Sequence, residues 1–390
     1  MARLDGQVVF VRLALPGERV RVQLTARRAK FLRADVVEVL EASPDRVAHP
    51  WPEAVAGQVG GMDMGHVAPA AARAAKAGVV RDQLRHQAGV DWPVEVAAVG
   101  DGLPTGWRGR VDLSADDGGN LGMFRPKSRS FVSLSSLPMA VASIQAMGLF
   151  DRVFPPGRVT AVAPSDSEPF VVSGGQVAPR RRELVEVGGA CFRYQLDGLG
   201  FWQPHVAAPA CLVGAVLDGA GAGDLAGATI WDLYCGSGLF TVPLAGAVGQ
   251  AGQVVGVEAG RQAALDARAN LAIWGDRVKV IRADVAAALQ RDIGARRRRR
   301  RSGTGPEPSD LLPRPDLVVL DPPRAGVGAK VVAALVEAAP ARVVYVSCEP
   351  STLARDLAGL LAGGYQVADL AGFDLFPGTW HVETVTTLVR

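Results

Sequence analysis

The first part of the chain is made of short segments in which apolar and polar residues alternate. These segments are QVVFVRL, ERVRVQL and ADVVEVL, and the sequence LPGE separates the first two. A period of two is typical of strands with one buried face, and a Pro-Gly pair is typical of a turn. We therefore predict a small β-barrel of the OB type over residues 1–44.

The middle of the chain combines a helical pattern with further short strands. After the stretch ASPDRVAHPWPEA, which is typical of a linker, Ala, Val and Leu recur at helical spacing over residues 68–88. Residues 107–175 return to short alternating segments, separated by turn sequences such as DDGGN and PSDSEP. The pattern predicts a small central α+β domain over residues 45–182, with the linker and the helix included.

From about residue 183, five apolar, β-branched segments alternate with alanine-rich helical patterns. They are ATIWDLYCGSGLF, GQVVGVEAG, DRVKVIRAD, DLVVLDPPRAG and ARVVYVSCEP. Strands that alternate with helices form a parallel, doubly wound sheet, and ligands bind beyond the carboxyl ends of its strands. We predict an α/β domain with a Rossmann-like sheet over residues 183–390, with its chemistry in the residues that follow each strand.

One segment, RRRRRRSGTGPEPSD, interrupts this alternation and contains the arginine run Arg296–Arg301. A block of like charge beside Gly, Pro and Ser is typical of a disordered insertion. We predict such an insertion over residues 296–310, without a specific role. Contact with RNA phosphates is the alternative.

Composition and charge narrow the classes of function. The chain is 48% hydrophobic and 21% charged, as expected of a globular protein. No apolar run reaches the roughly 18 residues of a membrane span, and no secretory signal is recognisable, so we expect a cytoplasmic protein without membrane contact. The four cysteines have no CxxC spacing, which argues against a disulfide framework and a zinc site.

The net charge of +3 is unevenly distributed. Residues 1–33 contain a clear excess of Arg and Lys over Asp and Glu. A basic module on a nearly neutral body favours a polyanionic partner such as RNA. On charge alone, a solvated strand surface is an equally good interpretation.

Glycines and acids after consecutive strands indicate a nucleotide-like cofactor. In WDLYCGSGLF, Gly236 and Gly238 permit a tight turn and a close approach of the backbone to a ligand. Glu258 ends the next strand, where a carboxylate accepts hydrogen bonds from ribose hydroxyls, and Asp284 ends the third, at the position for an adenine edge. The form D-x-x-C-G-x-G is that of S-adenosylmethionine-dependent methyltransferases. Cys235, inside the turn, is expected to be a packing residue.

Polar groups after the later strands indicate the methyl acceptor. Asp321 follows the fourth strand, Cys348 follows the fifth, and Glu383 lies near the C-terminus after a Trp-His pair. C5 of a pyrimidine is a poor nucleophile, but addition of a thiolate at C6 makes it able to attack a methyl group. A base must then remove the C5 proton so that the thiol is eliminated. Cys348 and Glu383 meet these requirements, and we hypothesise that Arg355 lowers the pKa of the thiol.

With these segments in order, the chain resembles the RNA uracil-5 methyltransferases, which make 5-methyluridine in tRNA or rRNA. GQVVFVRLALPGERVRVQL is similar to the RNA-binding TRAM domain, and GWRGRVDLS with LGMFRPKSRSFVSL is similar to the central domain of the family. FWQPH, DLYCGSGLF, DPPRAG, VSCEPSTLARD and FDLFPGTWHVETV follow the motifs of the class I methyltransferase domain in order.

The resemblance implies a function for individual residues and partners. S-adenosylmethionine would be held by Gln203, Tyr234, Glu258 and Asp321, with Asp321 also near the target base. Cys348 would be the nucleophile and Glu383 the general base. RNA would be the partner, and the protein would be monomeric, as members of the family tend to be.

The chain departs from the family pattern at one point. Many bacterial members bind a 4Fe–4S cluster through four cysteines, whereas the corresponding positions here are apolar: Trp51, Val59, Met62 and Leu137. Iron–sulfur clusters are held by cysteine thiolates, which these four positions lack, so we expect neither an iron–sulfur cluster nor another metal site. His66, close to these positions, is then expected to be structural.

Two other functions stay open from the sequence. The chain could bind or fold RNA with methylation as a secondary activity, or it could methylate C5 of cytosine by similar thiol chemistry. Cytosine-5 enzymes usually have a Pro-Cys motif after the fourth strand, where this chain has DPPR. The motifs do not indicate which RNA or which uridine is modified.

Overall fold

The computed structural model of the chain describes residues 2–126, 128–302 and 312–390. The strands among these residues are β1 (Ala2–Leu4), β2 (Gln7–Arg12), β3 (Arg19–Arg27), β4 (Phe31–Glu41), β5 (Val96–Ala98), β6 (Arg110–Ala115), β7 (Leu121–Phe124), β8 (Phe131–Ser133), β9 (Gly157–Val162), β10 (Phe170–Ser173), β11 (Arg181–Val187), β12 (Ala190–Leu196), β13 (Thr229–Leu233), β14 (Gln253–Glu258), β15 (Val278–Arg282), β16 (Leu317–Leu320), β17 (Arg342–Ser347), β18 (Gln366–Asp374) and β19 (Glu383–Val389).

The α-helices of the same residues are α1 (Pro52–Gly57), α2 (Pro69–Gln83), α3 (Ala142–Gln145), α4 (Ala208–Ala220), α5 (Thr241–Ala247), α6 (Arg261–Leu271), α7 (Val285–Ser302), α8 (Gly328–Ala338) and α9 (Pro350–Ala362). A π-helical turn, Leu84–Ala88, continues α2. In the part of the chain that the structure describes, no helix is long and apolar enough to span a bilayer.

The N-terminal residues form the predicted strands, which make a four-stranded sheet in the order β1-β2-β4-β3. Its small core contains Val9, Leu32 and Ala34. Arg46 ties the sheet to the following segment, because its Nη2 donates to the Leu13 carbonyl at 2.7 Å and to the Glu18 carboxylate at 2.7 Å. The same guanidinium lowers the pKa of Glu18 to about 2.

The predicted strands of residues 107–175 form an antiparallel sheet in the order β10-β9-β6-β7-β8. Alternate residues of β6, such as Val111 and Leu113, are buried against α1 and α3 in a single apolar core. The hairpin β11–β12 leads from this sheet to the next one.

The third sheet contains the five predicted parallel strands and confirms the Rossmann-like α/β fold. Its order is β15-β14-β13-β16-β17-β19-β18-β5, with β13 to β17 parallel and β19 antiparallel to both of its neighbours. Successive residues of β13 face opposite sides: Trp231 and Leu233 enter one apolar core and Ile230 the other. The sheet is therefore covered on both faces, as a doubly wound sheet requires.

The helix predicted over residues 68–88 is confirmed, but it packs elsewhere than predicted. The predicted central domain includes residues 69–98, whereas α2 contacts α9 and β5 pairs with β18 at the edge of the third sheet. The reason is the apolar stripe of α2, which includes Ala77 and Val80 and enters a core of that sheet. We retain the division into 1–44, 45–182 and 183–390 as a proposal, in which residues 69–98 pack against the third sheet.

The arginine-rich segment also differs from the prediction. Helix α7 includes Arg296–Arg301, so the first part of the insertion predicted over 296–310 is helical, while residues 303–311 lie outside the described residues. Arginine has a high helix propensity. In addition, Arg296 Nε lies 2.7 Å from Asp292 Oδ2, one turn earlier on the same helix, which stabilises it.

Candidate active site

Three of the predicted site residues reach the same edge of the third sheet. The pairing of β17 with β19 runs as far as Ser347 opposite Thr384, so Cys348, one residue further, lies level with Glu383. The Thr384 hydroxyl donates to the Ser347 carbonyl at 3.1 Å and closes this end of the pairing. Asp321 directly follows β16, the neighbour of β17 on its other side. The fold thus brings together a thiol and two carboxyl groups.

The backbone around Cys348 fixes the direction of its side chain. Strand β17 ends at the preceding residue, and α9 begins at Pro350. Glu349 caps the helix: its Oε1 accepts hydrogen bonds from the Ser351 amide at 3.4 Å and from the Ser351 hydroxyl at 2.9 Å. Cys348 therefore occupies a short, constrained connection between a buried strand and a capped helix.

The surroundings raise the pKa of both proposed reactive groups. Burial raises the pKa of the Cys348 thiol to about 11, and the charge of Glu383 adds to this increase. Burial and the charge of Asp321 hold the pKa of Glu383 well above its usual range, and its side chain is only 4% exposed. A raised pKa makes Glu383 a stronger base once it is ionised.

Arg324 is a site residue to which the sequence reasoning assigned no role. It lies in the loop after β16, and its Nη2 is 3.1 Å from Nε2 of His381. Its charge opposes the increase in the pKa of both Cys348 and Glu383. The signal in the sequence was the motif DPPRAG itself, which puts a cation immediately after a strand end at the predicted site.

Arg355 does not have the role that the sequence suggested. Its Nη2 lies 2.9 Å from Asp356 Oδ1 and donates to the Ala325 carbonyl at 2.8 Å. The buried Asp356 in turn accepts a hydrogen bond from the Val327 amide at 2.8 Å. Both side chains of α9 therefore hold the loop that carries Arg324, and Arg324 is the cation that lowers the thiol pKa.

The alkylation of Cys348 by iodoacetamide should rise about tenfold per pH unit between pH 7 and pH 10, because a thiol with a pKa of about 11 is protonated throughout this range. Arg324→Ala removes a cation that lowers this pKa. It therefore leaves less thiolate at each pH and should slow alkylation about threefold or more. Mass spectrometry of the peptide that contains Cys348 provides the rate.

Two variants control this measurement. Arg324→Lys keeps the positive charge and should keep most of the rate. Lys330→Ala, which removes an exposed cation of α8, should leave the pH profile in place. A rate that reaches its plateau below pH 9, or an Arg324→Ala profile identical to the wild type, would contradict the assignment.

The residues predicted to bind the cofactor form a sharp turn after β13. Tyr234, Gly236 and Gly238 have positive φ angles of 66°, 54° and 96°. Only the glycines adopt such angles without strain, so Tyr234 is held in an unfavourable conformation, as is frequent at functional sites. Glu258 Oε2 accepts a hydrogen bond from the Gly236 amide at 3.0 Å, so the acid lies directly against the turn. A turn with a close carboxylate fits a ribose with two hydroxyl groups.

Asp284 and Gln203 take no part in the contact between Glu258 and the turn after β13. Asp284 follows β15, next to β14, and its Oδ1 accepts a hydrogen bond from the Ala287 amide at 2.8 Å, which caps α7. Gln203 lines a cavity of about 210 Å³ together with Trp202 and Arg181. None of the residues that line this cavity belongs to the turn after β13.

The apolar residues at the positions of the family's iron ligands are buried together. Trp51, Val59, Met62 and Leu137 belong to the same core, with exposures of 1%, 6%, 2% and 5%. These side chains do not fit an iron–sulfur cluster, since none of them offers the thiolate by which such clusters are held. Over residues 2–126, 128–302 and 312–390, no group of three or more His, Cys, Asp or Glu side chains is arranged to hold a metal ion.

Comparison with protein families gives matches at both ends of the chain. A model described as tRNA (Uracil-5-)-methyltransferase matches residues 179–390, and a model of the TRAM domain matches residues 1–37. The first match contains the turn after β13 as well as Cys348 and Glu383. The second contains most of the N-terminal sheet.

Curated relatives are similar over the whole length. An uncharacterized RNA methyltransferase of Streptomyces avermitilis is 38% identical over 98% of this chain and 93% of its own length. The 23S rRNA (uracil(1939)-C(5))-methyltransferase RlmD of Alkalilimnicola ehrlichii is 30% identical over 100% of this chain and 93% of its own length.

A solved structure has the same overall fold. The crystal structure of the Pyrococcus abyssi tRNA (uracil-54, C5)-methyltransferase, in complex with S-adenosyl-L-homocysteine, superposes with a TM-score of 0.66 and 22% identity. The similarity covers 98% of this chain and 96% of that protein. At this level of identity it concerns the arrangement of the sheets.

Proposed function

Because this chain belongs to the family of tRNA (uracil-5-)-methyltransferases, we propose that it methylates C5 of a uridine in ribosomal RNA, with Cys348 as the nucleophile and Glu383 as the base. It is an RNA uracil-5 methyltransferase that uses S-adenosylmethionine. The pairing that puts Cys348 level with Glu383 is the observation that supports these roles. The full-length similarity to a 23S rRNA enzyme supports ribosomal RNA as the substrate.

The reaction begins when the Cys348 thiolate forms a bond to C6 of the uracil. The electron pair of the C5–C6 double bond then becomes available at C5, which is thereby made nucleophilic. When bound, S-adenosylmethionine supplies an electrophilic methyl group for C5. The charge of Arg324 acts on Cys348 and favours the thiolate that starts the sequence.

Glu383 completes the reaction as a general base. Its carboxylate accepts the proton from C5, and the electrons of that C–H bond restore the C5–C6 double bond. The bond between C6 and the sulfur breaks, and Cys348 leaves as the thiolate. Because Glu383 must be ionised and Cys348 deprotonated, turnover is expected to increase with pH on the acid side of its profile.

The cofactor lies, in this proposal, at the turn after β13. The residues that would hold it there are Tyr234, Gly236, Gly238, Glu258, Asp284 and Asp321, and Gln203 is assigned to it by the family resemblance alone. Glu258 would accept hydrogen bonds from the ribose hydroxyls and Asp284 would contact the adenine edge, while Asp321 would be near the target base as well as the cofactor. The contact between the Gly236 amide and Glu258 supports this position for the ribose.

The N-terminal sheet is proposed to bind the RNA. Phe10 is 50% exposed, and its ring lies edge-to-face on Phe31 with a centroid distance of 5.4 Å. The guanidinium of Arg33 lies 5.7 Å from the centroid of the Phe31 ring. Exposed aromatic rings next to arginines are typical of surfaces on which unpaired bases stack. The target uridine has to leave its stack before Cys348 reaches C6.

Incubation of the purified protein with S-adenosylmethionine and separate samples of 23S rRNA and tRNA tests the proposed substrate. Mass spectrometry of nuclease fragments is expected to show 5-methyluridine at one position of the 23S rRNA. Modification of tRNA alone would overturn the ribosomal target, and 5-methylcytidine would overturn the target base. If neither RNA is modified, the interpretation as an RNA-binding protein is favoured instead.

Glu258→Ala should weaken the binding of S-adenosylmethionine about 10- to 100-fold, because hydrogen bonds to a carboxylate contribute about 1.5–3 kcal/mol each. Isothermal titration calorimetry measures the dissociation constant. Asp276→Ala, which removes an exposed acid of the same domain, should bind as the wild type does. An unchanged constant for Glu258→Ala would show that the cofactor lies elsewhere.

A further inference from the structure

Lys76 of α2 forms a deeply buried ion pair with Asp374, the last residue of β18. Its Nζ lies 2.6 Å from Asp374 Oδ1, and both side chains are 1% exposed. Burial lowers the pKa of Lys76, which the carboxylate opposes. Removing two charges from water costs several kcal/mol, so a buried ion pair is weak evidence of a contribution to stability. Its place in the fold indicates another role.

The ion pair is at the start of the loop that leads to Glu383. Residues 375–382 connect β18 to β19, and Phe373 lies opposite Glu383 in the pairing of these strands. Besides Asp374, Lys76 Nζ donates to the carbonyl of Phe376 at 3.1 Å. One ammonium group of α2 thus holds both the end of β18 and the first turn of the 375–382 loop.

Other contacts fasten the 375–382 loop to segments outside the sheet. The Met64 amide donates to the Gly378 carbonyl at 2.8 Å. Gly378 has a φ of 76°, and a Cβ at this position would lie 2.9 Å from Cβ of Pro104. Inside the loop, the Thr379 hydroxyl donates to the Phe376 carbonyl at 2.8 Å, so that carbonyl is shared with Lys76. The loop has little room to adopt another conformation.

The far end of the same loop carries groups of the active site. His381 contacts Arg324, the cation whose charge acts on Cys348, and Glu383 follows two residues later. General bases are effective only within hydrogen-bonding reach of the proton that they remove. A displacement of the loop by about 1 Å is enough to reduce the rate about 100-fold.

We propose that Lys76 is a positioning residue for the elimination step, which acts through the 375–382 loop to keep Glu383 and His381 in place. Lys76 touches neither cofactor nor RNA in this assignment. The proposal rests on the proposed function, because it takes Glu383 as the base that removes the C5 proton. Loss of Lys76 should then impair the release of the RNA more than the formation of the bond to Cys348.

The consequence is a specific kinetic signature. If Glu383 is misplaced, the thiolate still adds to C6 and C5 still receives the methyl group, but the C5 proton stays on the carbon. The bond between sulfur and C6 persists, and the enzyme remains attached to methylated RNA. This covalent adduct survives denaturing gel electrophoresis, and radioactively labelled RNA allows its amount to be measured.

The test compares Lys76→Met with the double variant Lys76→Met/Asp374→Leu. The single variant leaves a buried carboxylate without its partner and should lower the melting temperature, whereas replacing both members of a buried pair by apolar residues is often neutral for stability. Both variants lose the donor to Phe376. We expect both to accumulate the adduct and to turn over about 10- to 100-fold more slowly, with the KM for S-adenosylmethionine within about twofold.

The matched control is Arg296→Met, which breaks the ion pair with Asp292 on α7 and leaves the 375–382 loop untouched. It should show neither adduct nor slow turnover. If the double variant recovers both the melting temperature and the turnover of the wild type, Lys76 has only a structural role and the proposal is wrong. The melting temperature and turnover of the double variant decide this even if the single variant does not fold.

Glu383→Gln, measured in parallel, distinguishes a failure of the role proposed for Lys76 from a failure of the role proposed for Glu383. An adduct with Glu383→Gln but none with either Lys76 variant would overturn the role of Lys76 and leave the mechanism intact. An adduct with neither would overturn the assignment of Glu383 as the base, and the role of Lys76 with it.

Discussion

Cys348→Ser should reduce methyl transfer to RNA by at least about 1,000-fold, since a serine hydroxyl is far less readily ionised than a thiol and adds poorly to C6. The transfer of tritium from S-adenosylmethionine with a labelled methyl group to RNA measures this loss. The binding of cofactor and of RNA should change little, because the substitution exchanges one atom in a connection whose backbone is held by β17 and α9.

Cys191→Ser provides the matched control, because Cys191 is an exposed thiol on β12, away from the strand ends that form the site. It should retain full activity. Substantial methylation by Cys348→Ser would mean that the methyl group reaches the RNA without thiolate addition. In that case a target atom that is itself nucleophilic, rather than C5 of a pyrimidine, would have to be considered.

Glu383→Gln should stop the reaction after methyl transfer and accumulate the covalent adduct with RNA. Glutamine has nearly the same shape as glutamate but does not accept the C5 proton, and loss of a general base typically slows a reaction about 100- to 10,000-fold. Mass spectrometry of the trapped species should find Cys348 bonded to a uridine that already carries the methyl group. An amide is neutral at every pH, so the substitution adds no buried charge and the melting temperature should not fall.

Glu349→Gln is the corresponding control, a change of the same type one residue after Cys348. Its carboxylate caps α9, a role that an amide oxygen also performs, and turnover should be close to that of the wild type. If Glu383→Gln releases methylated RNA at the normal rate, another group removes the proton. Asp321, on the next strand, would then be the first residue to examine.

The elements that are local in sequence were predicted well from the sequence. The strands of the N-terminal sheet, the helix after the linker and the five parallel strands follow from the period of their apolar residues, because burial of one face or of both faces dictates that period. The turn with Gly236 and Gly238 was predicted for a related reason, since positive φ angles there favour glycine.

The arginine run shows where composition misleads. Low-complexity charge predicted disorder, but Arg296 pairs with Asp292 and its neighbour Arg297 pairs with Glu337 on α8, at 2.7 Å in both cases. The second ion pair joins residues of two different helices, and no local sequence pattern predicts it. The same limitation explains the placement of α2, whose partner α9 lies far away in the sequence.

By itself, the sequence determined the kinds of groups available at the strand ends: a thiol, carboxylates and a glycine turn, in the order of a known family. The tertiary structure decided which of them meet. Strand β19 enters the sheet beside β17 and runs antiparallel to it, so its first residue, Glu383, lies level with Cys348. Lys76 met the end of β18 in the same way, through an ion pair with Asp374. Such contacts depend on the pairing of distant segments, and pairing is selected by the packing of the whole sheet rather than by any local period of residues.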